Sequence, residues 1–167
     1  MQKKESEPRI GGIAMVTAYR FMRKGEETRI CALVKKVFDE FVAPDYSDEG
    51  VGEFYTFANT EAIAARAGEN GFIMVAEDGD DLTGMIEIVR GDHISLLFVD
   101  RRCEGIGKTL VAMAVDECLR IKPELKSITV NSSPFAVPAY EKMGFRAVGP
   151  FREVNGIIFI PMERPVD

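Results

Sequence analysis

Leu96-Leu-Phe-Val-Asp-Arg-Arg-Cys-Glu-Gly-Ile-Gly-Lys-Thr-Leu110 is the stretch around which the rest of the chain can be placed. The apolar run from Ile94 to Val99 reads as a buried strand. The charged turn Asp100-Arg101-Arg102 stops it, and Gly105 and Gly107 open a segment of helical periodicity that runs to about Arg120. A strand, a glycine turn and a helix in that order leave unpaired backbone N–H groups at the helix start. With the positive end of the helix dipole, these donors suit phosphate oxygens. Glycine fits the turn because a Cβ there would hold a pyrophosphate away from the backbone. The stretch predicts a chain built to hold a phosphorylated carrier.

Upstream, Met1 to Gly12 is polar and charged and reads as a loose tail, with the folded domain expected over residues 13–167. Val16 to Met22 reads as a strand, and Glu26 to Phe41 as an amphipathic helix with Ile30, Leu33, Val34, Val37, Phe38 and Phe41 on one side. Val51 to Ala67 is a second helical stretch. Phe72 to Glu77, Leu82 to Arg90 and His93 to Val99 are strands separated by the turns at Asp78-Gly79-Asp80-Asp81 and Gly91-Asp92. Downstream, the helix after Gly105 is expected to bury Ile106, Leu110, Met113, Ala114 and Cys118 and to carry an Asp116–Arg120 pair on its outer side. Ser127 to Val130 is a strand. Ser133 and Pro134 precede a short helix that is regular only from Pro138 and closes at Gly144. Phe145 to Arg152 and Ile157 to Met162 form a hairpin about Asn155-Gly156. The order predicts a mixed α/β single domain.

The 167-residue chain is long enough for a core without staples. Its net charge of −6 argues against nucleic acid as a partner and suits a cationic one, such as an amine. Cys31, Cys103 and Cys118 have no CxxC spacing, and His93 is the single histidine, so no metal centre is expected and a reduced, cytoplasmic setting is. No run approaches the roughly 18 apolar residues of a membrane span, so no membrane partner is expected. Apolar ends on the closing hairpin would permit a homodimer.

Two readings of the glycine turn compete. Gly107-Lys108-Thr109 matches the end of a P-loop, but Arg102 stands where that motif needs its first glycine, and little chain remains for the rest of a nucleotide hydrolase. The other reading comes from Arg102-Cys-Glu-Gly105-Ile-Gly107 together with Asn131…Ala136…Tyr140-Glu-Lys-Met-Gly144-Phe145. The first fits the [QR]-x-x-G-x-[GA] pyrophosphate loop, and the second the downstream signature, of the GNAT superfamily of acyl-CoA-dependent N-acyltransferases. The chain resembles that family in both motifs, in their order, and in element order over residues 16 to 163. Its glycine turn is tighter than the family's usual loop, and its closing segment, Asn155 to Met162, looks like that of a bacterial subgroup.

The resemblance implies a mostly antiparallel sheet flanked by helices and direct acetyl transfer from acetyl-CoA to a primary amine of a small molecule or peptide. A non-catalytic acyl-CoA-binding domain on the same scaffold is the alternative. Such transfer needs a base for the amine, stabilisation of the thioester oxygen, and a proton for the departing sulfur. Tyr140 stands where the family's acid stands. His93 is the candidate base and Glu87 its rival. Leu97, Phe98 and Val99 are expected to pair with the pantetheine arm, with a backbone N–H near Phe98 or Val99 facing the oxyanion. Asn131 is expected to bond the pantetheine or a local water. Arg102, Cys103, Glu104, Gly105, Ile106, Gly107, Lys108 and Thr109 would form the pyrophosphate loop. Phe41, Asp45, Tyr46, Phe54, Tyr55 and Phe151 are expected on the acceptor side.

Overall fold

The computed structural model describes residues 9–10, 13–14, 16–67, 70–100 and 105–166. Arg9–Ile10 (β1) and Ile13–Ala14 (β2) pair as a small separate ladder within and just after the stretch read as a tail. The main sheet is built from Ala18–Phe21 (β3), Phe72–Asp78 (β4), Asp81–Val89 (β5), His93–Val99 (β6), Ser127–Ser132 (β7), Arg146–Ala147 (β8), Arg152–Val154 (β9) and Ile157–Pro165 (β10). The strand order is β3-β4-β5-β6-β7-β10-β8, with β9 paired to β10. Every pairing is antiparallel except β6 with β7.

Helices cover both faces, which is why β4 and β5 are apolar almost throughout rather than alternating. Glu27–Phe41 (α1), Asp48–Phe57 (α2) and Thr60–Arg66 (α3) bury Ile30, Phe38, Phe54 and Ile63 against Ile73, Val75, Met85 and Leu96. On the other face Ile106–Ile121 (α4) and Val137–Lys142 (α5) pack Leu110, Val111, Ala114, Cys118 and Tyr140 against Ile86, Ile88, Ile94 and Ile128. Burying each such aliphatic side chain contributes about 2 kcal/mol.

Three local expectations are corrected. The helical stretch Val51 to Ala67 is two helices, because Asn59 breaks the run and its side chain accepts from the Ala62 N–H at 2.8 Å to cap the second. The segment Phe145 to Arg152 is not one strand: Gly149-Pro150 separates β8 from β9, and proline lacks the N–H a ladder needs. On α4, Arg120 pairs with Glu117 at 2.7 Å and not with Asp116.

The feature that shapes the site is a bulge. Glu87 pairs with Leu96, but the next residue, Ile88, pairs with Ile94, so Ser95 is an extra residue in β6. The extra residue reverses the alternation. Ile94 joins the core under α4, while Leu96 joins the core under α1 to α3. The parallel seam with β7 ends at Ile94–Val130, immediately before the bulge. Beyond it, Asn131 and Ser132 continue along β10. Among the described residues, no strand pairs with the β7-facing edge of Ser95 to Val99.

Candidate active site

A cleft of about 1440 Å³ opens where β6 and β7 part. Its walls on one side are Leu96 to Val99, Gly105 to Lys108, Asn131 and Tyr140. On the other they are Phe41, Tyr46, Phe54, Phe57, Arg66 and the β9–β10 hairpin.

Gly105 caps α4 with φ +73°, a left-handed conformation that glycine adopts without strain. The Thr109 N–H bonds the Gly105 carbonyl at 3.0 Å. The N–H groups of Ile106, Gly107 and Lys108 therefore precede the first i→i−4 bond and have no acceptor of that kind. A Cβ on Gly107 would meet only Val99 Cγ2, at 3.6 Å, which is ordinary contact. Packing among the described residues does not demand glycine at 107. Gly105, Ile106, Gly107 and Lys108 line the cleft and Thr109 does not. Arg102, Cys103 and Glu104 lie outside the described residues.

Leu97, Phe98 and Val99 line the cleft along the open edge of β6, with Asn131 across from them at the end of β7. The exposed backbone donors and acceptors of such an edge take an extended, amide-bearing chain as they would take another strand.

Tyr140 is 6% exposed and packs edge-to-face on Phe145 with ring centroids 5.4 Å apart. Among the described residues no protein group bonds its hydroxyl, and the residue lines the cleft. Burial holds its pKa above the ordinary phenol value, so the group stays protonated and able to donate.

His93 also lines the cleft, at the closed end of the seam. Its Nδ1 lies 2.8 Å from Thr129 Oγ1, leaving Nε2 as the second ring nitrogen. Burial and then the Arg90 charge lower its pKa, which keeps the imidazole neutral. Glu87 is placed differently. It is 2% exposed, does not line the cleft, and its carboxylate receives Arg66 Nε at 3.1 and 3.2 Å and the Ser95 hydroxyl at 2.5 Å. Arg66 Nη2 approaches Glu87 Oε1 to 3.0 Å, but without hydrogen-bond geometry, so it serves as a charge partner only. Arg66 is further held by the Phe57 carbonyl at 2.6 Å and lies 3.8 Å from the Phe57 ring centroid.

Of the acceptor-side expectations, Phe41, Tyr46 and Phe54 line the cleft. Asp45, Tyr55 and Phe151 do not. Tyr55 is drawn to Asp39 and Lys35 on α1, and Phe151 is 59% exposed on the β8–β9 connection. Sequence reading missed Ser95, Arg66 and Arg90 on the cleft wall. No local signal marks them, since their place depends on strand register and on how α3 docks. No described helix is long and apolar enough to cross a membrane.

The sequence model of a GNAT acetyltransferase domain matches residues 42–165. The peptidyl-lysine N-acetyltransferase YjaB of Salmonella typhimurium is 35% identical over 74 residues, 43% of this chain and 48% of that protein. The match therefore spans about half the length of that curated relative. A GCN5-related N-acetyltransferase from Rhodopseudomonas palustris superposes with a TM-score of 0.76 at 22% identity, covering 93% of this chain and all of that one (100%). The PaiA N-acetyltransferase of Thermoplasma acidophilum, solved with coenzyme A, gives 0.71 at 18% identity over 91% and 100%. At these identities the likeness shows the fold alone. The glycine turn, the parted strands and a family match over most of the sequence place this chain in the GNAT family of acetyltransferases.

Proposed function

We propose that the protein transfers an acetyl group from acetyl-CoA to a primary amine, held at the parting of β6 and β7. The observation that carries this reading is the open edge of Ser95 to Val99 lying in one cleft beside the N–H groups that precede the first i→i−4 bond of α4. The open strand edge accepts the amides of the pantetheine arm, and the helix start accepts the pyrophosphate. Acetyl-CoA supplies a thioester whose carbonyl carbon is open to attack. His93 takes a proton from the amine, whose lone pair then forms the new C–N bond as the C–S bond breaks. A β6 backbone N–H near Phe98 faces the carbonyl oxygen as it gains charge. Tyr140 gives its proton to the departing sulfur. Because the named relative acts on peptidyl lysine, a lysine peptide belongs among the acceptors to be tried. The free cysteines Cys31 and Cys118 fit a cytoplasmic setting.

Thermal unfolding with acetyl-CoA, with ATP plus magnesium as control, tests the carrier. A ligand at a hundred times its Kd adds about 2.7 kcal/mol. A rise with acetyl-CoA alone is expected, and a rise with ATP alone would overturn the reading. Release of free thiol when an amine is added then separates an enzyme from a mere acyl-CoA-binding domain.

A further inference from the structure

We infer that Ser95 is the seat of the acceptor's nitrogen, and that buried Glu87 serves the reaction by fixing the direction of the Ser95 hydroxyl. The inference rests on the acyltransferase reading and deepens it.

Ser95 is the one residue of β6 that the ladder with β5 leaves over. A bulge re-aims the side chain it carries, and this one lines the cleft at the point where β6 leaves β7. Its Oγ lies 2.5 Å from Glu87 Oε1 and 3.3 Å from the Glu87 carbonyl oxygen. Both are acceptors, so the Ser95 proton is committed to Glu87 and cannot be offered to the cleft. What the hydroxyl presents to a ligand is its lone pairs. Glu87 cannot turn away, because Arg66 Nε holds both its carboxylate oxygens, and the Phe57 carbonyl and ring hold Arg66.

A hydroxyl fixed as an acceptor suits a nucleophile that has N–H bonds to donate. An amine that donates one N–H to Ser95 Oγ keeps its own lone pair free to point at the acyl carbon. Ser95 is the first residue of the open edge along which the thioester would lie, so a nitrogen seated there is next to the reacting carbon. This also gives Glu87 a role without contact with the cleft. It is a positioning residue acting through Ser95, and the proton itself is left to His93.

The test compares wild type with Ser95→Ala, Ser95→Thr and Glu87→Gln. Acetyl-CoA is the donor, free thiol is the readout, and the acceptors are a lysine peptide, spermidine, tyramine and hydroxylamine. Ser95→Ala is expected to keep the wild-type KM for acetyl-CoA and the acetyl-CoA-induced rise in Tm. Its kcat/KM for the amine should fall by about tenfold or more. Ser95→Thr, which retains the hydroxyl, should recover most of that loss. Glu87→Gln should lower amine kcat/KM in wild type but add little in the Ser95→Ala background, since its effect passes through that hydroxyl. Equal turnover by wild type and Ser95→Ala would overturn the seat and leave the acyltransferase reading intact. So would a Ser95→Ala loss accompanied by loss of the acetyl-CoA shift, which marks a purely structural role. A wild type that neither shifts with acetyl-CoA nor releases thiol would overturn the acyltransferase reading itself.

Discussion

Tyr140 and His93 hold groups whose usefulness depends on what does not touch them. Among the described residues no protein group bonds the Tyr140 hydroxyl, and the residue lines the cleft, so removing the hydroxyl takes little from the folded state. Tyr140→Phe should melt at or slightly above the wild-type temperature while kcat falls about 100-fold, the usual scale for losing a general acid. Parallel melting curves and thiol-release rates would check both halves, and an unchanged kcat would remove Tyr140 from the chemistry. His93 is held neutral by burial and Arg90, with its pKa below the ordinary 6.5. A base with a lowered pKa stays active through neutrality and is lost only as pH falls through that lowered value. The kcat/KM profile of wild type should therefore carry an acid limb below pH 6.5 that His93→Gln lacks. Any limb the two share belongs to the amine. Tyr140 was legible in the sequence because its spacing from Asn131 and Gly144 is local. Ser95 was not, because nothing in the sequence says which residue of a strand its neighbour will leave unpaired.

At the level of elements, two glycine contacts make opposite demands. Gly107 sits in the first turn of α4 with ordinary helical room for a Cβ. Gly107→Ala should leave the free protein as stable as wild type or raise its stability by up to about 1 kcal/mol, from helix propensity. On the proposed reading the added methyl stands in the path of the pyrophosphate, so the acetyl-CoA-induced rise in Tm should shrink or vanish. Gly50 on α2 is the reverse case. Its Cβ would fall 2.1 Å from the Gly156 carbonyl oxygen at the tip of the β9–β10 hairpin, a backbone clash that no rotamer relieves. Gly50→Ala should push the hairpin off α2 and lower Tm, and because both elements line the cleft it should also raise amine KM. A Gly50→Ala protein with wild-type Tm and amine KM would refute that packing. The glycine turn could be read in advance because a turn and a helix start carry their own composition. The Gly50–Gly156 contact joins residues far apart in the chain, and neither glycine signals the other.

Across the whole molecule, the edge strand β3 is tied to α1 and β4 by ions as well as by its ladder. Arg20 bonds Glu26 at 2.7 Å and Glu77 at 2.7 Å, and the Arg23 N–H reaches Glu26 at 2.6 Å. The Arg20 hydrogen bond is the largest cause holding the Glu26 carboxyl at about 2 against an ordinary 4.5. A carboxyl with a depressed folded pKa stabilises fully above its unfolded value, and that contribution disappears as pH falls through the folded one. Denaturant midpoints of wild type should therefore drop between pH 4.5 and pH 2 in a way that Glu26→Gln does not share. At neutral pH that variant should be less stable by about 2 kcal/mol, the scale of a charge-assisted bond. Equal pH dependence in the two proteins would sink this account. By itself the sequence determined most of the strands and helices, the glycine turn that opens α4 at Gly105 and Gly107, and the family, because apolar period, glycine spacing and short motifs are properties of neighbouring residues. Only the tertiary structure decided that Ser95 is extra in β6, that β6 parts from β7 there, and that Glu87 is locked to Arg66 rather than facing the cleft. Each of these depends on the register between strands or the docking of one element on another. Register is fixed by the packing of the whole sheet, which no single stretch of sequence contains.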